Sequence, residues 1–376
     1  MNNNNLLTYL TQTRRALHQI PEIGFDLFET STYVQKELKS FGYDPIIMAK
    51  TGVIAVKPGL SNDAIAFRAD MDALNVVEMT KADFASTHEG RMHACGHDAH
   101  MTMLLAFAKS VSELTPFKHT LVFVFQPAEE GPGGAKVLVE EGLIERFHIK
   151  KIFGMHVNPG LDEGIIGLAD GPLMAQSLEL DIRIKGKSAH AAEPDQGIDA
   201  LITAAQLILA YQTIVSRNVD PIETAVVTLG TIKGGEAPNI IPQEVRLTGT
   251  ARGFSPHVMA LIRRRITEIN EGLAKSSGCV IEAILTDTYP AVINDSKLYR
   301  TIASHLTGPI ETVKPKMFAE DFSYYQQKVP GLFAMLGTRN LGLNYNHPIH
   351  SCYFNLDEKA LIRGVDFYTQ VLAMMD

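Results

Sequence analysis

The densest concentration of reactive side chains is His93–His100, reading HACGHDAH. Cys95 and His97 stand two apart, with Asp98 and His100 close behind. A thiolate and an imidazole at that spacing suit a divalent transition ion, because nitrogen and sulfur donors favour zinc and its neighbours. The alternative is a surface turn whose histidines have no function. A zinc finger is disfavoured, since no second Cys/His pair lies at finger spacing. Upstream, FRADMDAL at 67–74 closes a strand-like run with Asp70 and Asp72. Aspartates there are either turn-formers or ligands at a strand's carboxyl end, where α/β sheets place their sites. The apolar run at 120–126 opens into QPAEEGPGGA, so Glu129 and Glu130 follow a buried strand directly. Adjacent carboxylates repel unless a cation or a proton is present. A division of labour follows, one binding metal and the other exchanging protons with water; a solvated acidic loop is the other reading. KIFGMH ends in His156, and NHPIHS supplies His347 and His350. Each histidine alone would be structural. Acidic and imidazole groups terminating one strand after another point to a shared metal site.

A second set lies further along: GKSAHAAEP at 186–194, APNIIP at 237–242 and GTARGF at 249–254. His190, among small residues, can donate to a developing oxyanion. Asn239 and Arg252 can hold a carboxylate, the guanidinium fork suiting bidentate capture. Singly, each reads as a turn histidine, a loop amide and a surface arginine.

These residues need a scaffold that brings strand ends together. The first third alternates helical and strand patterns: helices at 6–18 and 31–41, the second stopped by Gly42, and strands at 53–56, 64–67 and 120–125. Between the last two, Met103, Leu104, Phe107, Ala108 and Val111 mark one face of a helix over 102–111. That order predicts helices packed on a mainly parallel sheet. Near residue 178 the style changes. Leu178, Leu180, Ile182 and Ile184 alternate with Glu179, Asp181, Arg183 and Lys185, as in an antiparallel strand with one wet face. A helix at 199–216, strands at 224–232 and 243–252, a helix at 257–275 ended by Gly278 and a strand at 279–286 complete a β-α-β-β-α-β order. The expected organisation is α/β: a catalytic metal-binding domain from residues 1–177 and 292–376, interrupted by a smaller α+β domain at 178–291.

Composition agrees with two globular domains: 376 residues, 45% hydrophobic and 20% charged. A net charge of −8 disfavours nucleic acid or an anionic membrane surface as partner. The start, MNNNNLLTYL, has no basic region or long apolar stretch, so no secretory signal is expected. Three cysteines make no disulfide framework and fit a reducing cytoplasm.

In chain order, HACGHDAH, QPAEEGPGGA, GMH, GKSAHAA, PNIIP and IHS resemble the M20 metallopeptidases over essentially the whole sequence. The resemblance is to their aminoacylase-like amidohydrolases, which include hippurate hydrolases, N-acetyldiaminopimelate deacetylases and auxin-conjugate hydrolases. It implies a zinc-peptidase-like catalytic domain, an inserted lid or dimerisation domain and two divalent metals, zinc or manganese, with cobalt or nickel as substitutes. The implied ligands are Cys95, His97, Glu130, His156 and His350, with Glu129 as general base. Asp70 or Asp72 matches the family's active-site aspartate, Asp72 being the narrower choice. FAEDFSYY at 318–325 implies Glu320 and Asp321 as supports, whereas His347 has no implied role. The implied reaction is hydrolysis of the amide of a small N-acetyl- or N-benzoyl-amino acid, with His190 at the oxyanion, acting across the interface of a homodimer or higher homo-oligomer, and Asn239 and Arg252 at the substrate carboxylate. A dipeptidase or carboxypeptidase is the nearer alternative. A non-catalytic amino-acid-binding protein is the more distant one, and the full ligand set disfavours it.

Overall fold

Four runs of branched and aromatic residues form the parallel middle of the larger sheet: His119–Gln126, Ser61–Asp70, Ile149–Asp162 and Gly331–Arg339, in that spatial order. Val122, Phe123, Val124 and Phe125 are fully buried, as strands covered on both faces require. Antiparallel Gly52–Lys57 and Ile46–Met48 extend one side; Ile166–Leu168 and Ile310–Thr312 finish the other, making eight strands. The computed structural model describes residues 3–114 and 117–376, so Met1 and Asn2, at the head of the asparagine tract, lie outside it. Its larger compact unit is the chain up to Leu173 with Val292–Pro315 and Asp321–Asp376.

Connectivity explains where this unit can build a site. From Ser61–Asp70 the chain crosses through the helix His97–Ser112 to His119–Gln126 on one side. It then returns through Gly134–Glu140 and Leu143–Arg146 to Ile149–Asp162 on the other. Connections leaving two neighbouring strands in opposite directions open a crevice at their carboxyl ends. Asp70 ends one of these strands. His156 stands two residues beyond Gly154, the register partner of Arg68, which puts it level with Asp70.

The helix His97–Ser112 begins five residues before the apolar stripe that marks it in the sequence. Gly96 caps it at φ +86°, and a Cβ there would meet the Val157 side chain at 2.5 Å. His97, Asp98 and His100 therefore occupy its first turn, all fully buried. This helix packs against Asn3–His18 and the C-terminal helix Ala360–Met375.

The smaller unit comprises Met174–Ala291 and Lys316–Glu320, the latter a stretch that no alternation in the sequence marks. Its antiparallel sheet runs Ala225–Gly234, Glu244–Gly253, Gln176–Lys185, Val280–Asp287. Leu178, Leu180, Ile182 and Ile184 turn inward against the helices Ala200–Asn218 and Pro256–Ser277. The observed order is β-α-β-β-α-β, as the alternation predicts. Gly278 closes the second helix at φ +78°. Among the described residues no helix is long and apolar enough to cross a membrane.

Candidate metal centre

Two turns leave the parallel strands and are stitched together by one carboxylate. Asp72 accepts the backbone N–H groups of Glu129 and Glu130, each at 3.0 Å. The turn carrying those glutamates is tight: Ala128 adopts φ +57°, and its carbonyl accepts from Gly133 and Gly134. A Cβ on Gly134 would lie 1.7 Å from the Pro127 oxygen, so glycine is required there. Asp72 Oδ1 also lies 3.4 Å from His97 Nδ1, which turns His97 Nε2 toward the glutamates.

Asp70 plays a different part. It binds His100 Nδ1 at 2.6 Å and Arg68 Nη1 at 2.8 Å. Burial opposes its ionisation, but His100, His97 and Arg68 outweigh that and hold its carboxyl well below the ordinary range. His100 Nε2 accepts the Val157 N–H at 2.9 Å, so Nδ1 carries the proton given to Asp70. Both ring nitrogens are thereby used, and His100 has no lone pair left for a cation. Arg68 also donates to Gln126 and Asp321, both at 2.9 Å. The Tyr325 hydroxyl donates to Gln126. The sequence marks this fully buried network only through Asp70, Asp321 and an arginine within the apolar run AIAFRAD. Asp321 belongs to it, while Glu320 falls in the smaller unit.

The remaining donors converge. Cys95, His97 and His156 form one triad, and Cys95, Glu130 and His350 another; within each, the ligand atoms lie within 4.8 Å of one another. Cys95 belongs to both. Its Sγ is 3.3 Å from His156 Nε2, while His156 Nδ1 donates to the Val157 carbonyl at 2.7 Å and leaves Nε2 as the free lone pair. Such an outer partner fixes the tautomer of a ligating histidine. His350 Nε2 is 3.1 Å from Glu130 Oε1, and the His350 backbone is held at φ +66° by a bond from its N–H to the Ala94 carbonyl. Glu129, 6% exposed, groups with His97 and Glu130 but lies in neither triad.

Electrostatics shows what the cluster lacks. Burial would push His97 down, yet Asp70, Asp72 and Glu130 push it up to about 10. Burial, reinforced by Glu130 and Glu129, pushes the Cys95 thiol well up. Burial and the neighbouring His100 bring His156 down to about 3. Both ring nitrogens of His97 and Oε1 of Glu130 are buried and have ionic neighbours, but none of the three makes a well-directed hydrogen bond. Buried polar atoms left unpaired are costly, and a crowd of carboxylates that forces a proton onto a buried imidazole is one that a cation would neutralise. Thiolate, imidazole and carboxylate are suitable donors for divalent transition ions. The residues fit a pair of such ions.

In the smaller unit, His190 pairs with Ile240 across a short ladder, and Ala191 N–H donates to the Asn239 carbonyl at 3.0 Å. His190 and Asn239 are therefore neighbours, both exposed. His190 Nδ1 accepts the Ala192 N–H, leaving Nε2–H as an outward donor. Arg252 is elsewhere. It lies near the far end of Glu244–Gly253, opposite Ser177, with Nη1 on the Met317 carbonyl at 2.8 Å. Eight residue steps of strand, from Glu244 to Arg252, carry it roughly 26 Å along the ladder. Arg252 thus lies at the end of its strand remote from Glu244, the end that follows the Asn239 turn.

A profile of peptidase family M20/M25/M40 matches residues 66–374. The chain is 41% identical to an N-acetyldiaminopimelate deacetylase of Bacillus licheniformis over 370 residues, covering 96% of this chain and 97% of that protein. It is 37% identical to IAA-amino acid hydrolase ILR1-like 4 of Arabidopsis thaliana, covering 98% and 86%. The solved structure of a dinuclear metal-binding peptidase of the M20 family from Bacillus subtilis superposes with a TM-score of 0.86 at 33% identity, covering 99% of each chain. By these matches the chain belongs to peptidase family M20/M25/M40.

Proposed function

We propose that this protein is a metal-dependent amidohydrolase that removes the acyl group from small N-acylated amino acids. The observation that carries the reading is Glu129, buried beside two ligand triads that share Cys95. The names of its relatives, a deacetylase and an amino-acid-conjugate hydrolase, support the reaction class. Cys95, His97 and His156 would hold one divalent ion, and Cys95, Glu130 and His350 the second. Two zinc or manganese ions bound there would polarise the acyl oxygen and draw the pKa of water toward neutrality.

The protein's own residues supply the rest. Glu129 takes a proton from water as its oxygen adds to the acyl carbon. It returns that proton to the amide nitrogen as the C–N bond breaks, because an unprotonated amine is a poor leaving group. Glu130 is unsuited to this shuttle, since His350 and His97 hold its carboxyl below the ordinary range despite burial. Asp72 fixes both glutamate backbones and the His97 ring. Three unpaired cysteines, one of them a ligand, suit the reducing cytoplasm.

A homodimer through the smaller unit completes the proposal. Exposed Leu209, Val280 and Ile284 on that unit support association. His190 and Asn239 of one subunit then serve the substrate held by its partner. Co-expressing Glu129→Gln and His190→Ala chains, each inactive alone, is expected to restore about a quarter of wild-type activity, because about half of randomly paired dimers are mixed and one of the two sites in each mixed dimer is complete. Absence of recovery in isolated mixed dimers would rule out sharing.

Substrate class is tested by reconstituting the protein with zinc, manganese, cobalt or nickel and comparing N-acetyl- and N-benzoyl-amino acids with dipeptides. The acylated amino acids are expected to show at least about tenfold higher kcat/KM. Preference for dipeptides would overturn the reading in favour of a dipeptidase.

A further inference from the structure

Arg14 lies in the helix Asn3–His18 with its side chain 1% exposed. Its Nε donates to Asp98 Oδ2 at 3.2 Å. Nη1 donates to the Leu356 carbonyl at 3.1 Å and Nη2 to Asn355 Oδ1 at 2.7 Å, with Glu358 at 3.5 Å. Asp98 directly follows His97, and Asn355 and Leu356 lie on the turn leaving His350. One planar fork thus joins the two stretches that bring Cys95 and His350 to the same triad. Only Arg has the reach and rigid geometry to satisfy both at once.

The two triads differ in what else supports them. His156 sits within a central strand, its ring fixed by the Val157 carbonyl, and His97 is turned by Asp72. His350 is on a loop, its side chain 51% exposed, in a left-handed conformation that surrounding structure must enforce. The bond from its N–H to Ala94 holds it from one side. The Arg14 fork holds the turn beyond it.

We propose that Arg14 is a positioning residue that sets the second cation site, formed by Cys95, Glu130 and His350, by tying the turn after His350 to the His97–Asp98 helix start. This inference rests on the two-cation reading above. A merely structural arginine would weaken the whole unit, so the discriminating readout is stepwise metal binding.

The experiment titrates Co²⁺ into metal-free full-length protein, followed by absorption and calorimetry, for wild type, Arg14→Lys, Arg14→Met and Asn355→Ala. Arg14→Lys keeps a charge beside Asp98 but loses the fork; Asn355→Ala removes the shortest of the Arg14 contacts on the His350 side and leaves Asp98 untouched. Wild type is expected to take up two equivalents. The variants should bind the first equivalent with wild-type affinity and the second at least about tenfold more weakly, the usual cost of losing an outer partner of a ligand. Turnover should recover with excess Co²⁺. Wild-type affinity for both equivalents in Arg14→Lys and Asn355→Ala would overturn the proposal. So would equal weakening of both equivalents together with a lower Tm of the metal-free protein. Uptake of one equivalent by wild type would overturn the two-cation reading and this inference with it. Should Arg14→Met fail to fold, Asn355→Ala at a half-buried position carries the test.

Discussion

Glu129→Gln should bind its metals as wild type does and turn over at least ~100-fold more slowly, the common loss for a general base. The substitution preserves volume and the backbone bond to Asp72, so folding and Tm should hold. It removes only the capacity to take a proton from water and return it to the departing amine. Glu129 lies outside both triads, so the metal-to-protein ratio by elemental analysis should be unchanged, and KM should move little. A hundredfold fall corresponds to about 2.7 kcal/mol of lost transition-state stabilisation. Near-normal turnover would remove Glu129 from the proton shuttle. Loss of a metal equivalent would reassign it as a ligand.

Much of this architecture is legible in the sequence because burial leaves a periodic trace. Leu178, Leu180, Ile182 and Ile184 announce a strand with one wet face, and all four are buried on the helix side of the smaller sheet. The reactive residues are legible for another reason: they sit where strands end, and strand ends are marked by apolar runs. The helix start at His97 leaves no such trace. Its first turn carries polar side chains, His97 and His100 beside the cluster and Asp98 against Arg14, so periodicity reports the helix only from about Thr102 onward. Arg14 is hidden in the same way. On an amphipathic helix an arginine reads as part of the wet face, and only the tertiary fold shows it buried against Asp98.

Cys95→Ser is expected to empty both cation sites, because Cys95 is the ligand common to both triads. Its removal leaves His97 with His156 in one and Glu130 with His350 in the other. A serine hydroxyl stays protonated near neutral pH and is a weak donor for transition ions, so each site falls to two effective protein ligands. Metal content after dialysis should drop from two equivalents to well below one, and activity should drop with it. His350→Ala, which touches one triad, should cost only the second equivalent. Proton release provides an independent check. Without metal, His97 is pushed up to about 10 by Asp70, Asp72 and Glu130 against the effect of burial, and burial pushes the Cys95 thiol up. Both therefore carry protons at neutral pH and must lose them to become ligands, so uptake by wild type should release about two protons. Affinity should accordingly strengthen as pH rises toward those raised values and weaken as it falls. In Cys95→Ser the thiol proton is missing, and whatever binding remains should release about one. Calorimetry in buffers of different ionisation enthalpy measures this number directly. Retention of one full equivalent in Cys95→Ser would show that the thiolate serves a single ion.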